Sequence, residues 1–300
     1  MTGVFEIAYP FYIVDVFAEK KYGGNQLAVI INDGGLDEQD MQQIALEMNY
    51  SETTFIQDTR EYNGGFNVRI FSLDEELPFA GHPTLGTAYI LQQEVIGKEV
   101  PEIRLNLPVG QIPVSFSYNN GSPDLLTMKQ VEPQFGQKLS AEEAAAAISL
   151  DPQLVDRRFP VEEVSTGLPF IIIPLVSLEA VRQGSVDLPA YHALIEKAEA
   201  KSLLIFAPET YREENQLNCR MFDHYHGIPE DPATGSANGC LAAYLVRHRY
   251  FGSSEIRVRV EQGYEIKRPS LLLLEAKEER GVINVWVGGS CILTARGELL

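Results

Sequence analysis

Three polar side chains occupy positions from which they could transfer a proton or hold a charged substrate. Glu52 directly precedes the apolar segment 53–56, and His82 and Asp231 each directly precede a proline. A carboxyl group at the mouth of a buried strand is placed for general acid/base catalysis, and an imidazole can donate or accept a hydrogen bond near neutral pH. Periodicity alone favours a simpler interpretation, in which Glu52 is a charged corner and His82 is a structural residue.

Two segments that contain X-Pro steps, FAGHP at 79–83 and DPATGS at 231–236, predict helix N-termini that could bind an anion. A helix N-terminus presents unpaired N–H groups and a partial positive charge, which suits a substrate carboxylate. The small residues of DPATGS would let a ligand approach the backbone closely, and FAGHP plays the same part. The alternative is that Asp231 is only an N-cap and Gly235 only a packing residue, and an isolated DPATGS segment favours that alternative.

The elements that must position these residues are a mixture of strands and helices. β-Branched and aromatic residues predict strands over 12–17, 26–31, 53–57 and 67–71. An apolar stripe at i, i+3, i+4 and i+7 predicts a helix over 37–49, with Asp37 as N-cap and Asn49 as terminator. Pro83 predicts a second helix start. Strands and helices do not alternate regularly enough for a doubly wound parallel sheet, so the predicted class is α+β.

An internal repeat occurs at a constant offset of 151 residues. It pairs Asn67 with Asn218, Arg69 with Arg220, Phe71 with Phe222 and Pro78 with Pro229. These are four identities in twelve positions, where background composition would give about one. We therefore predict two homologous halves, residues 1–135 and 136–300, with a ligand site in the cleft between them. Coincidence between two ordinary strand-turn-helix units is the alternative.

The charge balance excludes several classes of partner. Among 300 residues, 24 Lys and Arg stand against 42 Asp and Glu, a formal net charge of −18. Such a surface would repel phosphate backbones and anionic membranes, so neither nucleic acid nor membrane is an expected partner. No apolar run has the length of a membrane span, and residues 1–17 lack the pattern of a signal peptide. A cytoplasmic protein is expected.

Motifs for metals and cofactors are absent from the sequence. The three cysteines form no CxxC pair, and neither GxGxxG nor GxxxxGK[ST] occurs. The segment Asp223-His224-Tyr225-His226 is a weak metal-ligand candidate, since no partner motif accompanies it. We predict no metal and no cofactor.

Taken together, six segments resemble the phenazine-biosynthesis PhzF-like family, whose fold is shared with diaminopimelate epimerase. They are GGNQLAVI at 23–30, MQQIALEMNYSETTFI at 41–56, RIFSLDEELPFAGHPTLGTA at 69–88, STGLPF at 165–170, GIPEDPATGSANG at 227–239 and EQGYEIKRPSLLL at 261–273. The resemblance implies two pseudo-symmetric halves, each a curved mixed β-sheet wrapped around a central helix, with the active site in the cleft. It also implies a homodimer.

The same resemblance implies a cofactor-independent isomerase that acts like trans-2,3-dihydro-3-hydroxyanthranilate isomerase on a small carboxylic or amino acid. The catalytic residues would be Glu52 as general acid/base, with His82 and Asp231 hydrogen-bonding the substrate. The substrate-binding residues would be Gly81, Gly235 and Ser236. Two other interpretations remain open, namely a catalytically silent metabolite-binding protein and an epimerase of another substrate.

Racemases of the same fold use two cysteines, one at each of the two helix starts. Here those positions carry Gly81 and Asp231-Pro232, and none of the three cysteines lies there. A two-thiol mechanism is therefore excluded. Cys240 lies further along the second helix and is expected to be a buried small apolar residue.

Overall fold

The computed structural model describes residues 8–33 and 35–300, which divide into two compact units. Unit 1 runs to Met128 and includes Gly289–Leu300, and unit 2 is Lys129–Gly288. Residues 1–7, which belong to the segment without a signal-peptide pattern, lie outside the described residues, as does residue 34.

The described residues of unit 1 form a mixed sheet and two α-helices. Its elements are β1 (Tyr9–Val16), β2 (Asn25–Ile31), α1 (Glu38–Met48), β3 (Glu52–Ile56), β4 (Phe66–Ser72), β5 (Glu76–Leu77), α2 (Gly81–Ile90), which continues as a π-helical turn over Leu91–Ile96, β6 (Glu102–Leu107), β7 (Gly110–Asn119) and β8 (Ser122–Lys129).

Unit 2 has the same kinds of element in a similar order. They are β9 (Gln134–Leu139), α3 (Ala141–Ala147), β10 (Val161–Ser165), β11 (Pro169–Pro174), α4 (Leu178–Gln183), α5 (Leu188–Glu196), β12 (Ser202–Ala207), β13 (Leu217–Asp223), β14 (Ile228–Asp231), α6 (Gly235–Arg247), β15 (Glu255–Gln262), β16 (Ser270–Glu279) and β17 (Val282–Gly289), with short 3₁₀ turns over Pro152–Leu154 and His224–His226. The last strand, β18 (Cys291–Leu299), returns to unit 1.

Strand pairing repeats between the units. In unit 1, β2 runs parallel to β3, β3 antiparallel to β4, and β4 parallel to β6. In unit 2, β11 runs parallel to β12, β12 antiparallel to β13, and β13 parallel to β15. The 151-residue repeat superimposes β4 on β13, so the sequence repeat corresponds to a repeated α+β topology.

The two arginines that the repeat aligns each form an ion pair with a glutamate of their own unit. Arg69 on β4 pairs with Glu76 on β5, and Arg220 on β13 pairs with Glu230 on β14. Each ion pair joins a sheet strand to the short strand that leads into the following helix. The repeat therefore preserves a structural contact close to each predicted site.

One central helix lies in each unit, as the resemblance implies. In α2 every residue except Tyr89 is buried, and α6 is buried from Ala237 to Val246. The strands β1, β2, β3, β6, β7 and β18 contact α2, and β10, β11, β15 and β16 contact α6. A helix that is buried on nearly all sides needs such a wrapping sheet, because its apolar residues face in every direction and must be shielded from water. Among the described residues, no helix is both long enough and apolar enough to cross a membrane.

The first helix agrees closely with its prediction, and the second begins earlier than expected. Asp37 is the N-cap of α1 in a capping box, and Asn49 ends the helix with a φ of 54°. Helix α2 begins at Gly81 rather than Pro83, since Ala80 is the last extended residue. Proline is tolerated there because N–H groups in the first helical turn have no intrahelical acceptor.

The last strand belongs to a different unit from the one predicted. Strand β18 pairs antiparallel with β1 of unit 1, and β9 pairs antiparallel with β10 of unit 2. The predicted boundary between 135 and 136 therefore falls inside β9, and the predicted half 136–300 includes a strand of unit 1. Local patterns show that a segment is a strand but not which distant strand it joins.

Candidate active site

In unit 1, strand β3 brings Glu52 to the N-terminus of the central helix. Side chains alternate along a strand, so Glu52 and Thr54 share one face. Thr54 Oγ1 lies 2.8 Å from Thr87 Oγ1 in the middle of α2, and Glu52 Oε2 lies 3.4 Å from His82 Nε2 at its start. The Glu52 side chain is 17% exposed and that of His82 is 7% exposed. A carboxyl group and an imidazole thus meet in a mostly buried setting.

The imidazole of His82 is uncharged at physiological pH. Burial lowers the pKa of His82 to about 3, against the opposing effect of a hydrogen bond with the backbone of Gln26. Its Nδ1 lies 3.4 Å from Asn25 Nδ2, and its Nε2 contacts Glu52 without the alignment of a hydrogen bond. A neutral imidazole carries one donor and one acceptor nitrogen, so His82 can orient a substrate without adding charge.

The two central helices differ from the other α-helices at their N-termini. Helices α1, α3, α4 and α5 each have a side-chain cap. The N-caps of α2 and α6 are Ala80 and Thr234, and among the described residues no side-chain hydrogen bond caps the first turn of either helix. The first N–H groups of a helix require some acceptor, and an anionic group can supply it. Gly81, Gly235 and Ser236 lie in these two uncapped first turns.

In unit 2, Asp231 ends β14 and is 5% exposed. Its carboxylate accepts a hydrogen bond from the Thr234 hydroxyl, and its carbonyl oxygen accepts one of 2.9 Å from Gln262 Nε2. Gly263, with a φ of +78°, leaves room for this segment, because a Cβ there would lie 2.6 Å from the carbonyl oxygen of Pro232. The last residue of β15 and the glycine that follows it therefore hold Asp231 in place.

The sequence model of the family described as phenazine biosynthesis-like protein (PhzC-PhzF) matches residues 14–297. The chain belongs to this family. An uncharacterized isomerase of Pasteurella multocida is 34% identical, over 97% of this chain and 94% of that protein. The trans-2,3-dihydro-3-hydroxyanthranilate isomerase of Pseudomonas fluorescens is also 34% identical, over 97% of this chain and 99% of that protein. A PhzF-family crystal structure from Bacillus anthracis is 26% identical with a TM-score of 0.90, over 98% of this chain and 100% of that one.

These likenesses establish the α+β fold with its two repeated units, and they place the chain among isomerases. Within this PhzF-like isomerase, the predicted site residues belong to two groups. Glu52, His82 and Gly81 lie around the start of α2, and Asp231, Gly235 and Ser236 lie around the start of α6. The structure shows contact between Glu52 and His82, and a Thr234 hydrogen bond to Asp231.

Sequence reasoning missed two buried amides of the PhzF-like isomerase. Asn25 approaches His82, and Gln262 contacts Asp231 and Thr234. Both residues lie inside segments that carry the family resemblance, GGNQLAVI and EQGYEIKRPSLLL. An amide residue next to a glycine in such a segment was the signal available in the sequence. Gly24, with a φ of +67° and a Cβ position 2.3 Å from Val16 O, makes the turn that places Asn25.

The three cysteines are buried, and none of them lies in the first turn of α2 or α6. Cys219 and Cys240 are fully buried, and burial raises the pKa of the Cys240 thiol to about 12. This confirms the interpretation of Cys240 as a buried small residue. At the weak metal candidate, His226 Nδ1 lies 2.8 Å from Asp223 Oδ1, and within residues 8–33 and 35–300 no three His, Cys, Asp or Glu side chains are grouped to hold a metal.

The burial of His82 predicts a pH dependence of stability. Because the pKa of His82 is about 3 in the folded protein and about 6.5 in an unfolded chain, the unfolded state binds more protons between these values. The free energy of unfolding should therefore fall by about 1.4 kcal/mol per pH unit as the pH drops below about 6.5. Urea denaturation of wild type and His82→Gln at several pH values would measure the difference in slope.

In His82→Gln this part of the slope should disappear, whatever the baseline stability of the variant. His192→Gln removes an imidazole from an exposed helix position and is the matched control. If the free energy of unfolding has the same pH dependence in wild type and His82→Gln, folding does not lower the pKa of His82.

Proposed function

We propose that this PhzF-like isomerase moves a proton within a small unsaturated cyclic amino acid, without a cofactor, and that trans-2,3-dihydro-3-hydroxyanthranilate is the candidate substrate. The observation that carries the proposal is the contact of the Glu52 carboxyl group with the neutral His82 at the uncapped start of α2. The isomerase of Pseudomonas fluorescens named for that compound, 34% identical to this chain, supports the choice of substrate.

In the proposed reaction one carboxyl group performs both proton transfers. The Glu52 carboxylate removes the proton from C3 of the ring, and the C–H electron pair forms a C3=C4 double bond. The double bond at C4=C5 moves to C5=C6, and the electron pair of C1=C6 arrives at C1. The Glu52 carboxylic acid returns its proton to C1, so the substrate and product have the same atoms and the enzyme regains its carboxylate.

The other predicted residues would bind and orient the substrate in this proposal. The N–H groups of Gly81, Gly235 and Ser236 at the uncapped helix starts suit a carboxylate, because the helix dipole favours negative charge there. His82 and Asp231 would hydrogen-bond the amine or the hydroxyl group. The small size of the glycines suits a close approach of the ligand to the backbone.

The test is turnover of trans-2,3-dihydro-3-hydroxyanthranilate in D2O, followed by NMR, beside a panel of small carboxylic and amino acids. We expect isomerisation with only partial deuterium incorporation at C1, because a single carboxyl group returns part of the original proton before it exchanges with solvent. Complete incorporation at C1 would show that the proton exchanges with solvent before it returns, and the same assay on Glu52→Gln would then decide whether Glu52 carries that proton.

Other outcomes would identify the alternatives. Deuterium incorporation with inversion at one carbon and no shift of double bonds would indicate an epimerase. Binding of panel compounds with no turnover would indicate a metabolite-binding protein. The homodimer and the cytoplasmic location stay predictions, and light scattering on the purified protein would measure the first.

A further inference from the structure

The side-chain amide of Gln262 has only one orientation that satisfies its surroundings. Gln262 is fully buried, and its Oε1 lies 3.2 Å from the backbone nitrogen of Thr234 and 2.8 Å from Asn238 Nδ2. Its Nε2 lies 2.9 Å from the carbonyl oxygen of Asp231. A backbone N–H can only donate and a carbonyl can only accept, so the oxygen and nitrogen of Gln262 cannot exchange places.

This orientation determines the direction of the hydrogen bonds that follow. The second proton on Gln262 Nε2 points to Thr234 Oγ1 at 3.1 Å, so the hydroxyl oxygen is an acceptor there. The hydroxyl has a single proton, and its remaining short contact is with Asp231 Oδ2. The hydroxyl proton therefore goes to the Asp231 carboxylate, and Asp231 is the acceptor at the end of a one-directional relay from Gln262 through Thr234.

The repeated topology shows that the fold does not need this relay. Strand pairing places Asn106 of unit 1 and Glu261 of unit 2 opposite equivalent asparagines, which makes Leu107 the counterpart of Gln262. Leu107 is buried and apolar, and the helix start of unit 1 is built without any buried amide in that place. The relay is thus a feature of the Asp231 site rather than of the repeated architecture.

We propose that Gln262 and Thr234 are positioning residues that hold the Asp231 carboxylate as an obligatory hydrogen-bond acceptor, so that Asp231 binds an N–H or O–H donor of the substrate. For the identity of that substrate, the inference rests on the proposed function. For the role of the Asp231 carboxylate as a hydrogen-bond acceptor, it rests on the hydrogen bonds alone. A substrate with an ammonium, amine or hydroxyl group is accepted, and one with a carbonyl group in that place is rejected.

The kinetic test compares two replacements of Thr234. Thr234→Val keeps the shape and removes the hydroxyl, and it should lower kcat/KM for trans-2,3-dihydro-3-hydroxyanthranilate by about 10- to 100-fold, the loss expected for a hydrogen bond to a charged group. Thr234→Ser keeps the hydroxyl and should restore activity to within about threefold of wild type. Thr210→Val removes a hydroxyl that donates 2.9 Å to the carbonyl oxygen of Arg212 in the same unit, and it should leave kcat/KM unchanged.

A second test needs no turnover. The two side-chain amide protons of Gln262, assigned by their loss in Gln262→Met, should both be protected from solvent exchange in wild type. In Thr234→Val only the proton that faces position 234 should shift and exchange faster, and in Thr234→Ser neither should change. Unchanged amide resonances in Thr234→Val, or shifted resonances with unchanged kcat/KM, would each contradict the proposal.

Binding of stable analogues separates this inference from the proposed substrate. Anthranilate, 3-hydroxyanthranilate and 3-hydroxybenzoate differ in their amine and hydroxyl donors, and wild type should discriminate against the analogue that lacks the donor for Asp231. Thr234→Val should lose most of that discrimination. A wild type that discriminates in this way but does not turn over trans-2,3-dihydro-3-hydroxyanthranilate would reject the proposed function and support the positioning. Equal affinities of wild type for all three analogues would overturn the positioning.

Discussion

Replacement of Glu52 by glutamine should lower the isomerase turnover number by about 10²- to 10⁴-fold, the range for loss of a general acid/base. Glutamine has the size of glutamate but cannot accept a proton from carbon. The Glu52 side chain is 17% exposed and begins β3, so the amide can be accommodated without unfolding the strand. A coupled or direct NMR assay of trans-2,3-dihydro-3-hydroxyanthranilate, with the melting temperature of each variant, would measure the effect.

The matched control is Glu47→Gln, which makes the same change on an exposed position of α1. It should retain wild-type turnover. Binding of 3-hydroxyanthranilate to Glu52→Gln should also survive, because the proposed role of Glu52 is proton transfer rather than affinity. Retained turnover in Glu52→Gln would reject Glu52 as the acid/base. If Glu52→Gln loses both binding and folding, Glu52→Asp, which keeps a carboxyl group, would be measured in its place.

The second large effect concerns stability. Arg220 lies between Glu230 and the carbonyl oxygens at the end of α4, with Nη1 2.6 Å from Gly184 O and Nη2 2.7 Å from Glu230 Oε2. The Arg220 and Glu230 side chains are 10% and 8% exposed. Arg220→Met removes the cation and leaves a buried carboxylate without its partner, so the free energy of unfolding should fall by about 3–5 kcal/mol.

The repeat supplies a control for this prediction within the same chain. Arg69 occupies the equivalent place in unit 1 and pairs with Glu76, but both side chains are more than a quarter exposed, and its further partner Glu38 is mostly exposed. Arg69→Met should therefore cost about 1 kcal/mol or less. Urea denaturation, which adds no salt, would compare the two variants. Equal costs would show that burial does not decide the strength of these ion pairs.

Local patterns were sufficient for the strand that carries Glu52 and for the helix that precedes it. The apolar alternation in β3 and the capping residues of α1 act over a few residues, so the sequence predicts both elements to within one or two positions. The repeat added the correspondence of Arg69 with Arg220, because both halves retain the same contact. These inferences depend on interactions between near neighbours or on internal comparison.

The two buried amides that support the site residues, Asn25 and Gln262, could not be predicted in the same way. Asn25 lies 57 residues from His82, and Gln262 lies 31 residues from Asp231. A hydrogen bond over such a separation produces no periodicity, and each amide stands in a segment whose pattern is that of a strand. The uncapped start of α6 was equally hidden, since Asp231 and Thr234 are residue types that commonly cap helices.

The pairing of β1 with β18 has a consequence for the order in which the protein can fold. Unit 1 contains the first residues of the described chain, yet its sheet is complete only after Cys291–Leu299 has joined Tyr9–Val16. During synthesis β1 therefore lacks its partner β18 until all of unit 2 has been made. An unpaired strand edge of this kind can pair with other chains. Closing a loop of this length also slows folding, because its entropy must be overcome before the contact forms. Strands β9 to β17 of unit 2 are all made before β18, so the pairing of β9 with β10 does not depend on that last strand.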